Sequence, residues 1–415
     1  MDSSEKGLKH WSIAIVLMIC VVLAFIDKIS ITVLFKDIDF LVDLGIGQDK
    51  AKLGLLMTSF LLAYGFSSVF LSFIGDMFSP KKLLIGSITA WGVIMLCMSV
   101  THNFWVLIFF RVLLGIAEGP LFALAYTIVK QTYTAKEQAR ASTMFLLGTP
   151  IGASLGFPIT AYVLAHYDWH ATFVVMASLT LIVLLIVIFG MKNITLKQPE
   201  ASDVKVSGLT RHKDNIKLLL QNKKFWLVCV FNIAIMSYLW GLNSWVPSYL
   251  MENKGFDLKQ FGMLASLPFI AMLVGEILGA FYSDRSGNRA GQVFAGLMFA
   301  GFTMYLMVLV HNPIAVIFMM SLSAFSWGVS VSAIFALLSS ITDKSVSATA
   351  GGIFNGLGNF ASAIVPLAIG FIVQATGNFN SGIITISLIA IIGSLVIIPL
   401  LFKPKAKAVH AKSYY

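Results

Sequence analysis

Long apolar blocks alternate with short polar loops along the whole chain, at residues 11–35, 53–75, 83–101, 104–129, 141–165, 171–191, 225–251, 261–283, 292–310, 313–341, 348–375 and 382–402. A helix of about 20 apolar residues matches the hydrocarbon thickness of a bilayer. Blocks this long, punctuated by glycine and proline, do not fit the short alternating strands of a membrane barrel, so each predicts a helix. The expected fold is an all-α membrane protein with twelve transmembrane helices. Residues 192–224 form the one long polar interruption and separate six blocks from six. That predicts an N-terminal six-helix bundle over 1–191, a cytoplasmic linker over 192–224, a C-terminal six-helix bundle over 225–402 and a cytoplasmic tail over 403–415. The halves also repeat: Gly47, Asp49, Gly54 and Asp76 recur as Gly255, Asp257, Gly262 and Asp284, each pair 208 residues apart. A duplicated six-span unit is the build of many secondary transporters, whose substrate sits at the midplane between the halves.

Composition agrees. Of the 415 residues 58% are hydrophobic and 12% charged, where soluble domains carry about 25% charged residues. The net charge of +10 does not describe a nucleic-acid surface, because the cations fall in alternate loops. Lys81, Lys82, Lys136, Arg140, the 192–224 segment, Arg285, Arg289 and the tail share one side; Asp37, Asp39, Asp43, Asp49, Asp168, Glu252 and Asp257 lie on the other. By the positive-inside bias both termini are expected in the cytoplasm of an inner-membrane protein. Cys20, Cys97 and Cys229 all lie inside apolar blocks, which predicts small reduced packing residues and no disulfide framework. The first block has no A-x-A cleavage site and reads as a retained helix.

Charges inside the spans carry the chemistry. Arg111 and Glu118 lie in the fourth block, seven residues apart and so on roughly one helix face. A charge at bilayer depth costs at least ~2.5–3.5 kcal/mol, which is tolerated where it faces a bundle interior or a water path. Asp27 and Lys28 sit deep in the first block; adjacent helix positions do not face each other, so each needs another partner. The cations Lys28 and Arg111 suit an organic anion, and the carboxylates Asp27 and Glu118 suit a proton. A closed network of internal salt bridges is the structural alternative. Tyr64, Tyr238, Asn243, Trp245, Trp327, Asn355 and Asn359 carry buried polar groups that want hydrogen-bond partners and together predict a cavity lining for a polyol or sugar acid. Glu276, in the eighth block, reads as a vestibule residue or the partner of a nearby cation. The seven histidines lack metal-ligand spacing and there is no Walker motif, so neither a metal, a cofactor nor ATP-driven pumping is expected.

Several stretches resemble the anion:cation symporter family of the major facilitator superfamily. They are Asp27-Lys28, Tyr64, RVLLGIAEGPLF from Arg111, GTPIGASLGFP from Gly148 with the following DWHATF, WVPSYLMENKGFDLKQFGMLASLPF from Trp245, and ATAGGIFNGLGNF around Asn355 and Asn359. The segment GAFYSDRSGNRA, residues 279–290, resembles the superfamily's loop signature, and the first-half copy keeps Asp76, Lys81 and Lys82 but has Met77 and Ser79. The resemblance implies that fold, gate roles for Asp76, Asp284 and Arg285, proton uptake by Asp27 and Glu118, and substrate binding by Lys28 and Arg111. Two positions depart from the family pattern. Lys28 stands where arginine is common, a point charge without a planar fork, and His170 follows Trp169 where arginine is common; Trp169 and His170 read as an interfacial anchor. Parts of the second and third spans also resemble organophosphate:phosphate antiporters.

The expected function is therefore proton-coupled symport of a small organic anion, a sugar acid or other monocarboxylate, by alternating access and as a monomer. An anion exchanger and a non-transporting anion receptor are the alternatives. An enzyme is not expected, because no nucleophile–base pair emerges.

Overall fold

The computed structural model describes residues 3–70, 79–133, 138–192, 217–258, 264–342 and 347–401. Among them no strand occurs, and ten helices are long and apolar enough to cross a membrane, with Leu267–Ser283 adding a shorter apolar one. Lipid offers no partner for backbone N–H and C=O groups, so spans that satisfy them internally are helical.

The first half runs α1 (Ser3–Leu34), α2 (Ile38–Asp43), α3 (Lys50–Phe70), α4 (Pro80–Met98), α5 (Phe104–Glu118), α6 (Leu121–Thr132), α7 (Gln138–Leu146), α8 (Gly148–His166) and α9 (Trp169–Gly190). The second runs α10 (Lys223–Ser248), α11 (Leu267–Ser286), α12 (Arg289–Leu309), α13 (Pro313–Ile341), α14 (Ser347–Ser362), α15 (Val365–Thr376) and α16 (Phe379–Leu395). A π turn at Tyr249–Asn253 extends α10, and a 3-10 turn at Ile398–Leu400 follows α16. Every apolar block is helical where described. The fourth, fifth and eleventh blocks are each two helices in series: α5 and α6, α7 and α8, α14 and α15. The short α2, between the first two blocks, has no counterpart in the hydrophobic pattern.

The duplication shows in the backbone as well as the residues. Gly47 and Gly255 both take a positive φ, 59° and 75°, a conformation in which a Cβ is penalised. Asn103 caps α5 and Asn312 caps α13; Asp168 caps α9 and Asn378 caps α16. A side-chain oxygen at each of these positions accepts an orphan N–H of the helix it opens.

Within each half, helices approach where side chains are small. Gly148, Gly152 and Gly156, four residues apart on α8, lie against α1. A Cβ on Gly148 would come 2.6 Å from the Met18 carbonyl oxygen, and one on Gly156 2.7 Å from the Ile29 side chain. Gly119, just beyond α5, packs on α3 so closely that a Cβ there would meet the Tyr64 carbonyl at 2.7 Å, and the Ser67 hydroxyl donates to the Ile116 carbonyl at 2.7 Å. The glycine-rich motif of the fifth block thus seats α1, and that of the fourth seats α3.

The halves meet through α1 with α10, α3 with α14 and α15, and α8 with α11. Phe35 and Trp245 pack at 5.9 Å, Phe157 and Phe269 at 5.3 Å, and the Ser266 hydroxyl donates to the Ser154 carbonyl at 2.6 Å. Glu252, on the π turn, receives Lys50 at 2.7 Å and Lys36 at 3.2 Å, tying the halves at that end of the bundle.

Candidate functional site

Glu118 is the last residue of α5, and Gly119 and Pro120 separate it from α6. A proline here lacks the N–H that would continue the helix, so the fourth span is broken near its middle, and its carboxylate stands at the break. Broken spans at midplane depth are a recurrent way to present groups to a ligand. Glu118 is fully buried, and Lys28 Nζ of α1 approaches its Oε2 at 3.6 Å. That separation is an ion pair and too long for a good hydrogen bond.

Lys28 is caged by rings. Its Nζ lies 4.1 Å from the centroid of Tyr64, 4.7 Å from Phe25 and 5.8 Å from Phe122. Ring faces stabilise a desolvated cation by about 2 kcal/mol or more. The lysine is thus held by π faces and one carboxylate. Both oxygens of Asp27 and both of Glu118 are buried without a hydrogen-bond partner among the described residues. Burying an ionised carboxylate without hydrogen bonds costs far more than burying a neutral carboxyl.

The second half faces this group across Phe25. Its ring stacks on Trp240 of α10 at 6.1 Å; Trp240 Nε1 donates to Asn359 Oδ1 at 3.2 Å, and Asn359 Nδ2 donates to the Asn355 carbonyl and Oδ1 at 3.0 and 3.1 Å. Asn243, one turn along α10 from Trp240, is fully buried with neither amide atom paired among the described residues. Through the Phe25–Trp240 contact, the half that carries Lys28, Asp27 and Glu118 meets the half that carries these amides and the indole, groups of the kinds that bind an anion bearing hydroxyl groups.

Other expected site residues are placed differently. Arg111 is buried, but its guanidinium turns onto α3: Nε donates to the Leu56 carbonyl at 3.1 Å, Nη2 meets Met57 Sδ at 3.4 Å, and the group lies 4.4 Å from the Phe60 ring. It braces two helices of one half, and of the two cations Lys28 is the one next to Glu118. Tyr238 hydrogen-bonds Ser323 at 2.5 Å and stacks on Trp327, whose Nε1 donates to the Ile235 carbonyl at 3.0 Å; all of these partners lie in the second half. Trp245 donates to the Pro366 carbonyl at 3.0 Å and packs on Phe35 and Phe379, so it serves the junction between the halves. Asp76 and the side chain of Asp284 lie outside the described residues, and Arg285 is exposed at the end of α11. Trp169 is not an interfacial anchor: it is buried edge-on against Phe40 at 5.2 Å and Phe173 at 6.0 Å, seating α2 on α9. Sequence reasoning missed Phe25, Phe122 and Trp240. Aromatics in an apolar span carry no distinguishing signal until their neighbours are known.

Comparison with known proteins agrees with this architecture. The family model of the Major Facilitator Superfamily matches residues 17–365 and 240–414. A probable sulfoacetate transporter of Cupriavidus necator is 27% identical over 351 residues, covering 80% of both chains. A D-galactonate transporter of Escherichia coli is 24% identical over 380 residues, covering 86% of this chain and 87% of its own. Among solved structures, a bacterial homologue of the human lysosomal transporter Spinster, inward-facing and occupied, superposes with a TM-score of 0.76 at 15% identity, covering 96% of this chain and 97% of its own.

Proposed function

The chain belongs to the Major Facilitator Superfamily, and we propose that within it the protein is a proton-coupled symporter. It carries a small organic anion inward through twelve spans of the bacterial inner membrane, with both termini in the cytoplasm. Lys28 receives the carboxylate or sulfonate of the substrate, and Tyr64, Asn243, Asn355 and Asn359 with Trp240 read its hydroxyl groups. Asp27 and Glu118 take the proton. Two relatives are named as transporters of sulfoacetate and D-galactonate, both small anions, which supports this substrate class.

The observation that carries the reading is the Lys28–Glu118 ion pair at 3.6 Å, where neither the Glu118 nor the adjacent Asp27 carboxylate accepts a hydrogen bond among the described residues. Protonation of Glu118 withdraws the charge that Lys28 faces and frees the ammonium for the substrate anion. The anion and the proton then stabilise each other's binding, which is the thermodynamic content of symport. The contacts of Glu252 with Lys50, of Trp245 with Phe35 and of Phe269 with Phe157 close the end of the bundle assigned to the outside, as an inward-facing or occluded state requires. Closure at the other end would complete alternating access.

The test is uptake into proteoliposomes of purified protein, with radiolabelled sulfoacetate and galactonate offered separately, each with and without an inward proton gradient. Accumulation that requires the gradient is expected. Uptake that requires a trapped internal anion instead would mark an exchanger, and saturable binding without accumulation would mark a receptor.

A further inference from the structure

Away from the midplane site, the fold assembles three residues that no motif joins: Asp43 at the end of α2, His102 in the turn before α5, and His170 in the first turn of α9. His102 Nδ1 lies 2.9 and 2.8 Å from the two Asp43 oxygens, and His170 Nε2 lies 3.3 Å from Asp43 Oδ2. One ligand atom from each, two imidazole nitrogens and a carboxylate oxygen, falls within 4.8 Å of the others. Ligand atoms around a tetrahedral zinc with bonds of about 2.0–2.1 Å are about 3.3 Å apart, so binding requires an adjustment that draws the set together from within 4.8 Å. His102 is mostly exposed and free to make it.

The His170 ring is already oriented. His170 Nδ1 lies 2.7 Å from the Ser99 carbonyl oxygen, a contact that is a hydrogen bond only if Nδ1 carries the proton, and that leaves Nε2 with its lone pair directed at Asp43. Donation from the remote ring nitrogen to a carbonyl is how metal-ligating histidines are oriented. The His170 ring is held further by stacking on the buried Trp169 at 3.6 Å. The neighbouring ammonium of Lys52 is engaged elsewhere, 3.4 Å from the Gly45 carbonyl and 5.7 Å from the Phe104 ring. Asp43 and His102 front an open cleft lined also by Gly45, Asn103 and Trp105, which leaves a fourth position to water.

We propose that Asp43, His102 and His170 form a binding site for one divalent transition metal ion of the zinc class, at the same end of the bundle as Glu252. Two imidazoles select a borderline metal over magnesium or calcium, which take oxygen ligands. The ion would clamp α2, the turn before α5 and the start of α9 together within the first half, and so stabilise that rim without bridging the halves.

The test uses full-length protein purified on a tag free of histidine and stripped with EDTA. Titration with zinc chloride by calorimetry, and thermal unfolding at rising zinc, should show one ion per chain and a rise in melting temperature that EDTA reverses. Asp43→Asn, His102→Ala and His170→Gln should each weaken zinc binding at least tenfold. His166→Ala, on the exposed His166 at the end of α8, should not change it. No zinc response in the parent protein, or parental affinity in any one of the three ligand variants, overturns the site.

Discussion

Replacing Glu252 with glutamine should release the closed end of the bundle. The carboxylate receives Lys50 at 2.7 Å and Lys36 at 3.2 Å, and both cations belong to the other half. Partly exposed pairs of this kind contribute about 0.2–1 kcal/mol each. Two pairs sharing one acid are not fully additive, so about 1 kcal/mol in favour of closure is a fair total. That is about a fivefold change in the ratio of closed to open molecules. The pairs exist only while this end is shut, so the change falls on the conformational equilibrium and leaves each bundle intact. The assay is a distance distribution between spin labels at Val42, on α2, and Ile314, at the start of α13, both strongly exposed. The three native cysteines are replaced first. Glu252→Gln should raise the long-distance population about fivefold, and high salt should narrow the difference between variant and parent. An unchanged distribution would refute a latch at Glu252 and leave packing at Trp245 and Phe269 as the closing force.

Lys28→Gln removes the ring-caged cation and should weaken binding of the transported anion by about ten- to a hundredfold, the worth of a charged hydrogen bond of about 1.5–3 kcal/mol; calorimetric titration measures it, and an unchanged Kd removes Lys28 from the substrate site. Asp37 caps α2 through the Phe40 N–H at 2.8 Å, and its carboxyl is pushed up from its ordinary value chiefly by burial, with Asp39 and Asp168 adding to it. A carboxyl raised in the folded state holds a proton that the unfolded chain has lost, so its contribution to stability declines as pH rises from the ordinary aspartate value through the raised one. Asp37→Asn keeps the cap oxygen and should remove that decline from the pH profile of the melting temperature, whereas parallel profiles would contradict it.

Much of the fold was legible because a bilayer admits few solutions. Apolar length alone placed the helices, and the 208-residue repeat recurs in the positive φ of Gly47 and Gly255. The second and eighth blocks abut undescribed residues, and among the described residues ten helices are long and apolar enough to span, with one shorter apolar helix. Charge cost picked out Asp27, Lys28, Arg111 and Glu118, all buried. What periodicity could not assign was direction. Arg111 and Glu118 share a face of α5, yet a long side chain chooses among neighbours that the sequence does not specify, and Arg111 takes the Leu56 carbonyl of α3. The acids of the loops opposite the basic ones also acquired individual work: Asp37, Asp49 and Asp168 accept N–H groups at helix starts, and Glu252 joins the halves. The cluster of Asp43, His102 and His170 was invisible to spacing, since its members come from three segments brought together by packing alone.

The proposed division of labour, Lys28 for the anion and Glu118 for the proton, is tested most directly by Glu118→Gln in proteoliposomes. The amide mimics the protonated acid, so substrate still binds and the halves still interchange, but no proton is carried at position 118. Counterflow exchange of labelled for unlabelled substrate should persist while gradient-driven accumulation is lost. Undiminished accumulation by Glu118→Gln under an inward proton gradient would contradict the coupling role of Glu118.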